Sequence, residues 1–218
     1  MDWYTLRNET ICNYMLRYRN DLLFFNQIPD IINQGIIRIY NNAKDIGFEQ
    51  QVNINLNANN FQINKPVGWR ETISLSLIDA QNNTIFLQER TYEFLKTYLP
   101  NPALVNTPPK YYADVPTGNL MDNSAYNIWQ ISPSADKAYT VNVIYLGIPA
   151  FNNDNRTNFL TQRYPNLLLY SCLLETSIFL DNEEKRNKYE GLFGKELETI
   201  LNINQSRMTD RTVSRDKS

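Results

Sequence analysis

Apolar residues recur at helical spacing at both ends of the chain. Near the N-terminus, apolar positions in residues 6–18 predict one helix, and a stripe over residues 32–43 predicts a second helix that begins near Pro29. Toward the C-terminus, residues 167–180 are apolar nearly all round, which is typical of a buried helix, and residues 189–201 carry an amphipathic stripe. The pattern therefore predicts two helices at each end.

The middle of the chain alternates between apolar and polar residues, as half-buried strands do. The predicted strands cover residues 52–56, 73–77, 84–87, 127–132 and 139–146. Turn-forming residues at 79–83 predict a hairpin between the second and third of these strands, and residues 133–136 predict a turn between the last two. Residues 88–99 fit one short helix, and five prolines within residues 100–116 predict an extended arm.

These elements predict an α+β fold. Helices at the two ends each carry an apolar stripe that they cannot bury alone, so we expect residues 1–47 and 155–204 to form one helical bundle. Residues 48–154 are then a β-rich insertion that carries the Pro-rich arm (100–116). Residues 205–218 show no repeating apolar face, which predicts a flexible C-terminal tail.

The residue types that most enzymes need are scarce in this sequence. It has no histidine, which removes Ser-His and Cys-His catalysis and most zinc sites. Cys12 and Cys172 lack metal-ligand spacing, and no phosphate-binding glycine motif occurs. Acidic residues such as Asp79, Glu89 and Asp114 are interpreted as solvated surface carboxylates rather than as the paired acids of a hydrolase. We therefore expect no enzyme activity, no cofactor and no metal site.

Charge and hydropathy narrow the range of partners. The 218 residues include 21 Lys and Arg against 23 Asp and Glu, so the net charge of -2 gives no basic excess for gripping nucleic acid. The longest apolar run, residues 167–174, is too short to span a membrane, and the N-terminus lacks the basic start of a secretory signal. We expect a soluble protein made in the cytoplasm, without a membrane partner.

Two groups of residues are candidates for binding. Tyr111, Tyr112, Trp129 and Trp69 could form an aromatic platform, which suggests as an alternative function a carbohydrate-binding β module of a virion or secreted assembly. Aromatic residues that alternate along strands are more often core residues, and we favour that interpretation.

The second group lies in the C-terminal tail. Arg207, Arg211 and Arg215 are spaced by four, so a helical tail would place all three guanidinium groups on one face. Met208 and Val213 are the apolar residues of the same segment. These five residues are our candidates for binding a partner protein.

Several short motifs follow one another along the chain. They are residues 19–21 (RND), 27–32 (QIPDII), 38–40 (RIY), 109–112 (PKYY), 131–133 (ISP), 138–145, 158–160 (NFL), 164–170 (YPNLLLY) and the amphipathic helix at 183–201. The order of these motifs resembles that of one family, the head-to-tail adaptor (connector) proteins of tailed bacteriophages. The closing block, from residue 158 onward, resembles the second half of that family's helical bundle.

The resemblance implies a structural protein of the virion neck, at the head–tail junction. Members of that family form a ring, commonly of twelve copies, that binds the portal protein, extends the DNA channel and presents a platform to a tail or nozzle protein. Genome DNA passes through such a ring without specific binding, which suits a nearly neutral chain. Under this hypothesis the five tail residues bind the portal.

Overall fold

The computed structural model describes residues 1–15, 21–101, 107–115 and 128–215, with the backbone alone over 205–215. The fold is α+β, and its strand-rich part is inserted in the chain between helices. The chain divides into two compact units. One unit combines Met1–Phe48 with Ile148–Ser218 and is helical, and the other, Glu49–Gly147, contains the described strands.

The N-terminal segment is one short helix in three consecutive pieces, with a π-helical turn between two α-helical pieces, rather than the regular α-helix that was predicted. The pieces are α1 (Trp3–Thr5), a π-helical turn (Leu6–Thr10) and α2 (Ile11–Tyr14). Leu6 and Ile11 are both fully buried, and an α-helix would separate side chains five positions apart by roughly 140°. The π turn, in which the Ile11 N–H bonds the Leu6 carbonyl, is compatible with burying both side chains.

The predicted helical bundle is therefore wrong. It required two full helices from the N-terminal region, and the described part of that region supplies one long helix, α3 (Leu22–Asn42). The Asp21 carboxylate starts α3 by accepting hydrogen bonds from the Leu23 and Phe24 N–H groups at 2.9 and 3.2 Å. Pro29, which was predicted to lie in the first turn, lies inside the helix instead.

The C-terminal helices are α5 (Phe159–Arg163), α6 (Pro165–Phe179) and α7 (Glu183–Arg215). Asn158 and Thr161 form a reciprocal capping box at the start of α5. Helix α6 packs against both α3 and α7, which explains why its sequence is apolar nearly all round. No described helix has both the length and the apolar character needed to cross a membrane.

The strand-rich unit contains two four-stranded sheets. The strands are β1 (Glu49–Leu56), β2 (Gln62–Asn64), β3 (Trp69–Ile78), β4 (Thr84–Phe86), β5 (Gln88–Glu89), β6 (Tyr111–Val115), β7 (Ile128–Ser132) and β8 (Tyr139–Gly147). The first sheet has the strand order β1-β8-β3-β4, and the second sheet has the order β2-β7-β6-β5. Neighbouring strands are antiparallel except β5 and β6, which are parallel. A short helix, α4 (Tyr92–Tyr98), follows β5.

The pairing confirms part of the strand prediction and corrects two parts. Strands β3 and β4 form the predicted hairpin. Strands β7 and β8, predicted as neighbours joined by a turn, belong to different sheets. The predicted arm at 100–116 contains β6, which pairs on both sides, because Pro109 and Pro116 bracket the Tyr-Tyr-Ala-Asp-Val segment and do not interrupt it.

The core of this unit lies between the two sheets. Apolar side chains from both sheets pack into one cluster, and on β1 the alternation of Val52, Ile54 and Leu56 with exposed asparagines matches the predicted half-buried strand. The residues that face this core are therefore the apolar positions that the alternating pattern predicted.

Candidate interaction surfaces

The C-terminal candidates lie at the end of α7. The helix was predicted to stop near residue 204, and its backbone continues to Arg215. Extending an existing helix costs far less than nucleating one, so weak apolar patterning does not end it. The side chains of Arg207, Met208, Arg211, Val213 and Arg215 lie outside the described part of the chain, and the mobility of the tail stays a prediction.

The helical unit presents a mixed polar and apolar face where α3 meets α6. The Arg38 guanidinium donates to Glu175 Oε1 at 2.5 Å, and both side chains are only partly exposed. Beside this ion pair, a shallow groove is lined by Asp30, Ile31 and Phe179 together with neighbouring polar residues.

Exposed apolar side chains extend this face at the ends of both helices. Leu22 and Leu23 are 71% and 78% exposed at the start of α3, and Ile178 and Phe179 are about half exposed at the end of α6. The Phe24 and Phe179 rings, 6.5 Å apart, join the two groups. A cluster of exposed apolar residues with a polar border is typical of a protein–protein contact.

The proposed aromatic platform does not exist as a surface. Trp129 and Tyr112 are buried, and the Trp69 and Trp129 rings meet edge to face at 6.3 Å. Both indole N–H groups donate to Thr72 Oγ1, at 3.2 Å from Trp69 and 2.9 Å from Trp129. Trp129 and Tyr112 are core residues, and the partly buried Trp69 packs against the same core, in agreement with the favoured interpretation.

Tyr111 has a different environment from the other platform residues. On the opposite face of β6 it contacts Phe94 and Tyr98 of α4 edge to face, with ring centroids 5.3 and 5.1 Å away. The Arg90 guanidinium lies 5.6 Å from the Tyr111 ring. Thr91 caps α4, whose Leu95 is buried while Phe94 and Tyr98 are exposed. This Tyr-Phe-Arg composition is that of an interface hot spot.

A charged pair, which was not predicted, lies on the inner face of the second sheet. Asp114 is directly opposite Trp129 in the β6–β7 register, so its side chain shares the face of that buried ring. Lys65, just after β2, places Nζ 2.9 Å from Asp114 Oδ1. Interpreting Asp114 as a solvated carboxylate was wrong. The available signal was its position two residues after Tyr112, because alternate residues of a strand share a face.

Asp79 is a second carboxylate with a structural role. It accepts hydrogen bonds from the N–H groups of Gln81 and Asn83 in the β3–β4 turn, and Lys137 Nζ lies 2.9 Å from Oδ2. These donors, the lysine first, hold the pKa of Asp79 well below its usual range. The interpretation of Asp79 as a solvated carboxylate was also wrong.

The two cysteines are buried within the helical unit. The Cys12 Sγ lies 3.8 Å from the Arg7 carbonyl. Burial raises the pKa of Cys172, which keeps it in the thiol form. Among the described residues, no group of histidine, cysteine, aspartate and glutamate side chains could hold a metal ion.

The chain matches a family model. A family model described as SU10 adaptor protein matches residues 1–216, which includes both units of the fold. No curated protein matches the chain.

Proposed function

Because the chain belongs to the SU10 adaptor protein family, we propose that it is a head-to-tail adaptor that forms a ring between the portal and the tail and extends the DNA channel. Membership makes it a bacteriophage structural adaptor protein and a component of the virion. The observation that carries the proposal is the extent of the match, which leaves out only the last two of 218 residues.

A ring of identical subunits, which we propose has twelve copies, needs two different complementary patches on each subunit. The exposed apolar face of α3 and α6 and the aromatic surface formed by Phe94, Tyr98, Tyr111 and Arg90 are our two candidates for these patches, and they differ in chemistry. One patch is mainly aliphatic, with Phe179 in it and an ion pair beside it, and the other is aromatic with a cation. This difference favours heterologous contacts over a symmetric dimer.

The charge of the chain suits a channel. With 21 basic and 23 acidic residues the subunit has little net attraction for phosphate, so genome DNA can slide past it without specific binding. We propose that the protein acts in the neck, at the head–tail junction, with a tail or nozzle protein on its other side. In this role it needs no cofactor and catalyses no reaction.

Assembly tests the proposal directly. The purified protein, mixed with the portal from the same virus, should form a complex that sediments faster than the portal alone, with rings visible by electron microscopy. A complex that fails to form at every protein concentration and salt tested would refute the assignment to the portal junction.

We further propose that the C-terminal segment of α7 docks on the portal through Arg207, Arg211 and Arg215, with Met208 or Val213 filling an apolar groove. Each contact to a charged partner contributes about 1–3 kcal/mol before ordering costs, and repetition around the ring multiplies the effect. The support is the spacing of four along a helix whose backbone reaches Arg215.

The test compares a tail variant with a matched control on the same helix. Replacing Arg207, Arg211 and Arg215 with glutamate should weaken portal binding and reduce its salt dependence. Replacing the exposed Arg186, Lys188 and Lys195 with glutamate changes the net charge equally and should leave binding nearly unchanged. Equal losses in both variants, or unchanged binding after deletion of residues 205–218, would contradict the docking hypothesis but not the adaptor function.

A further inference from the structure

The Lys65–Asp114 pair has an unusual environment for two charged groups. The Lys65 side chain is 2% exposed, and its Nζ lies 3.2 Å from the centroid of the Trp69 ring and 5.4 Å from that of Trp129. Asp114 is 30% exposed and lies at the rim of the inner face. The amine is therefore almost completely removed from water beside a single carboxylate oxygen.

The contact does not satisfy the two groups as an ion pair. An ammonium has three N–H donors, yet among the described residues neither Nζ nor Asp114 Oδ1 makes a well-aligned hydrogen bond, although both atoms are buried. Desolvation lowers the pKa of Lys65, against the opposing effects of Asp114 and Glu89. Burial thus increases the fraction of neutral amine, which is the nucleophilic form of lysine.

From this juxtaposition we infer that Lys65 and Asp114 become joined by an intramolecular isopeptide bond between Nζ and Cγ, which the folded chain forms by itself. Transfer of one proton from the ammonium to the carboxylate first makes both groups neutral. The Nζ lone pair attacks Cγ, the Nζ–Cγ bond forms, and the bond from Cγ to the hydroxyl oxygen breaks. That oxygen leaves as water with a proton from the nitrogen, so the reaction needs no oxidant, reductant or cofactor.

The reaction is accelerated because the fold holds its two groups close together. Two groups held in attacking distance react as if their concentration were raised to about 10⁵–10⁸ M, and Cγ is bonded directly to the oxygen that lies 2.9 Å from Nζ. The face of the Trp69 ring stabilises the ammonium form and so slows the reaction. The bond therefore forms slowly after folding and, once formed, leaves no buried charge.

A second lysine–aspartate pair in the same unit shows what is specific to this one. Lys137 Nζ also lies 2.9 Å from a carboxylate oxygen, that of Asp79, but the Lys137 side chain is 48% exposed. That amine is in contact with solvent, and the Asp79 carboxylate accepts hydrogen bonds from the turn N–H groups as well as from Lys137. The Lys137–Asp79 pair has the same N–O distance as the Lys65–Asp114 pair, but its lysine is much more exposed. It is therefore the matched control.

The cross-link would connect the end of β2 to β6 across β7, since Ile63, Trp129 and Asp114 lie in one row of the sheet. It closes a loop between residues 65 and 114, and such a closure restricts the unfolded chain. The bond also survives denaturation, which makes it measurable.

The experiment is the intact mass of the full-length protein under denaturing conditions. We expect the parent to weigh one water less than its sequence mass, and a digest to contain a branched peptide that joins Lys65 to Asp114. Lys65→Arg and Asp114→Ala should each have the full mass of their sequence. Lys137→Arg should keep the loss of one water.

Each alternative outcome overturns the inference. A parent protein at its full sequence mass, after incubation of the folded chain for days, means that the pair remains an ion pair. A water loss that persists in Lys65→Arg, or that maps to other residues, assigns the dehydration elsewhere. Because the parent is measured without any substitution, a variant that fails to fold does not affect this result.

Discussion

The close contact between α3 and α6 can be tested with one substitution, Gly35→Ala. Gly35 lies so close to α6 that a Cβ on it would be 3.1 Å from Cys172 Sγ, 3.2 Å from the Cys172 backbone nitrogen and 3.4 Å from its Cα. In the same place, the Ser171 hydroxyl donates to the Gly35 carbonyl at 2.8 Å. Two of the three contacted atoms are backbone, which cannot move away as the end of a side chain can.

Gly35→Ala therefore combines two opposing effects. Alanine is favoured over glycine in a helix by about 1 kcal/mol, whereas overpacking a close helix contact costs about 1–3 kcal/mol. We expect the second effect to dominate and the free energy of unfolding to fall by up to about 2 kcal/mol. At Gly191 and Gly194 of α7, an added Cβ would have no atom of another described part of the chain within 4 Å, so alanine at either should stabilise by about 0.5–1 kcal/mol.

Urea titrations followed by far-UV circular dichroism measure all three variants at one protein concentration, because oligomer formation changes apparent stability. The expected order of midpoints places Gly191→Ala and Gly194→Ala above the parent and Gly35→Ala below it. If Gly35→Ala shifts the midpoint upward like the other two, the close approach of the helices does not limit side-chain size, and the packing argument fails.

Two further predictions concern the strand-rich unit. Thr72→Val leaves two indole N–H groups without their acceptor and should lower the free energy of unfolding by about 2 kcal/mol, while Thr72→Ser keeps the hydroxyl and most of the stability. Tryptophan fluorescence during denaturation measures both, and equal stabilities would contradict the role of the hydroxyl. Because the pKa of Asp79 is lowered in the folded state, its stabilising effect is present above the unfolded pKa of about 3.9 and is lost as pH falls toward the folded pKa. Asp79→Asn should be less stable than the parent at neutral pH, and the difference should shrink in acid. A constant difference from neutral to strongly acidic pH would show that the carboxylate charge is not involved.

Local periodicity accounts for the elements that the sequence predicted well. The stripe that ends at Ala43, the alternation at residues 52–56 and the apolar run at 167–180 correspond to α3, β1 and α6. The side chain of Asn158 caps the short helix α5 through contacts with residues of its own first turn. Such features depend on residues within one or two turns of each other, so the sequence alone specifies them.

Other features depend on residues that are distant in the chain. The π turn between Leu6 and Ile11 interrupts the regular α-helical hydrogen bonding of the predicted first helix while both side chains are buried, and β7 and β8 separate into different sheets because each finds other partners. Neither the π turn nor the assignment of β7 and β8 to different sheets can be predicted from the local sequence pattern.

The features of the candidate sites also divide into those that are local in the sequence and those that depend on residues distant in the chain. The absence of histidine, the low net charge and the spacing of four between three arginines are properties of the sequence. The fold placed Asp114 opposite Trp129 and brought Lys65 to Asp114. The fold also buried Tyr112 and Trp129 and packed Trp69 against Trp129. The physical reason is that side-chain type is a property of one residue, whereas burial and pairing are properties of the strands and helices that surround it.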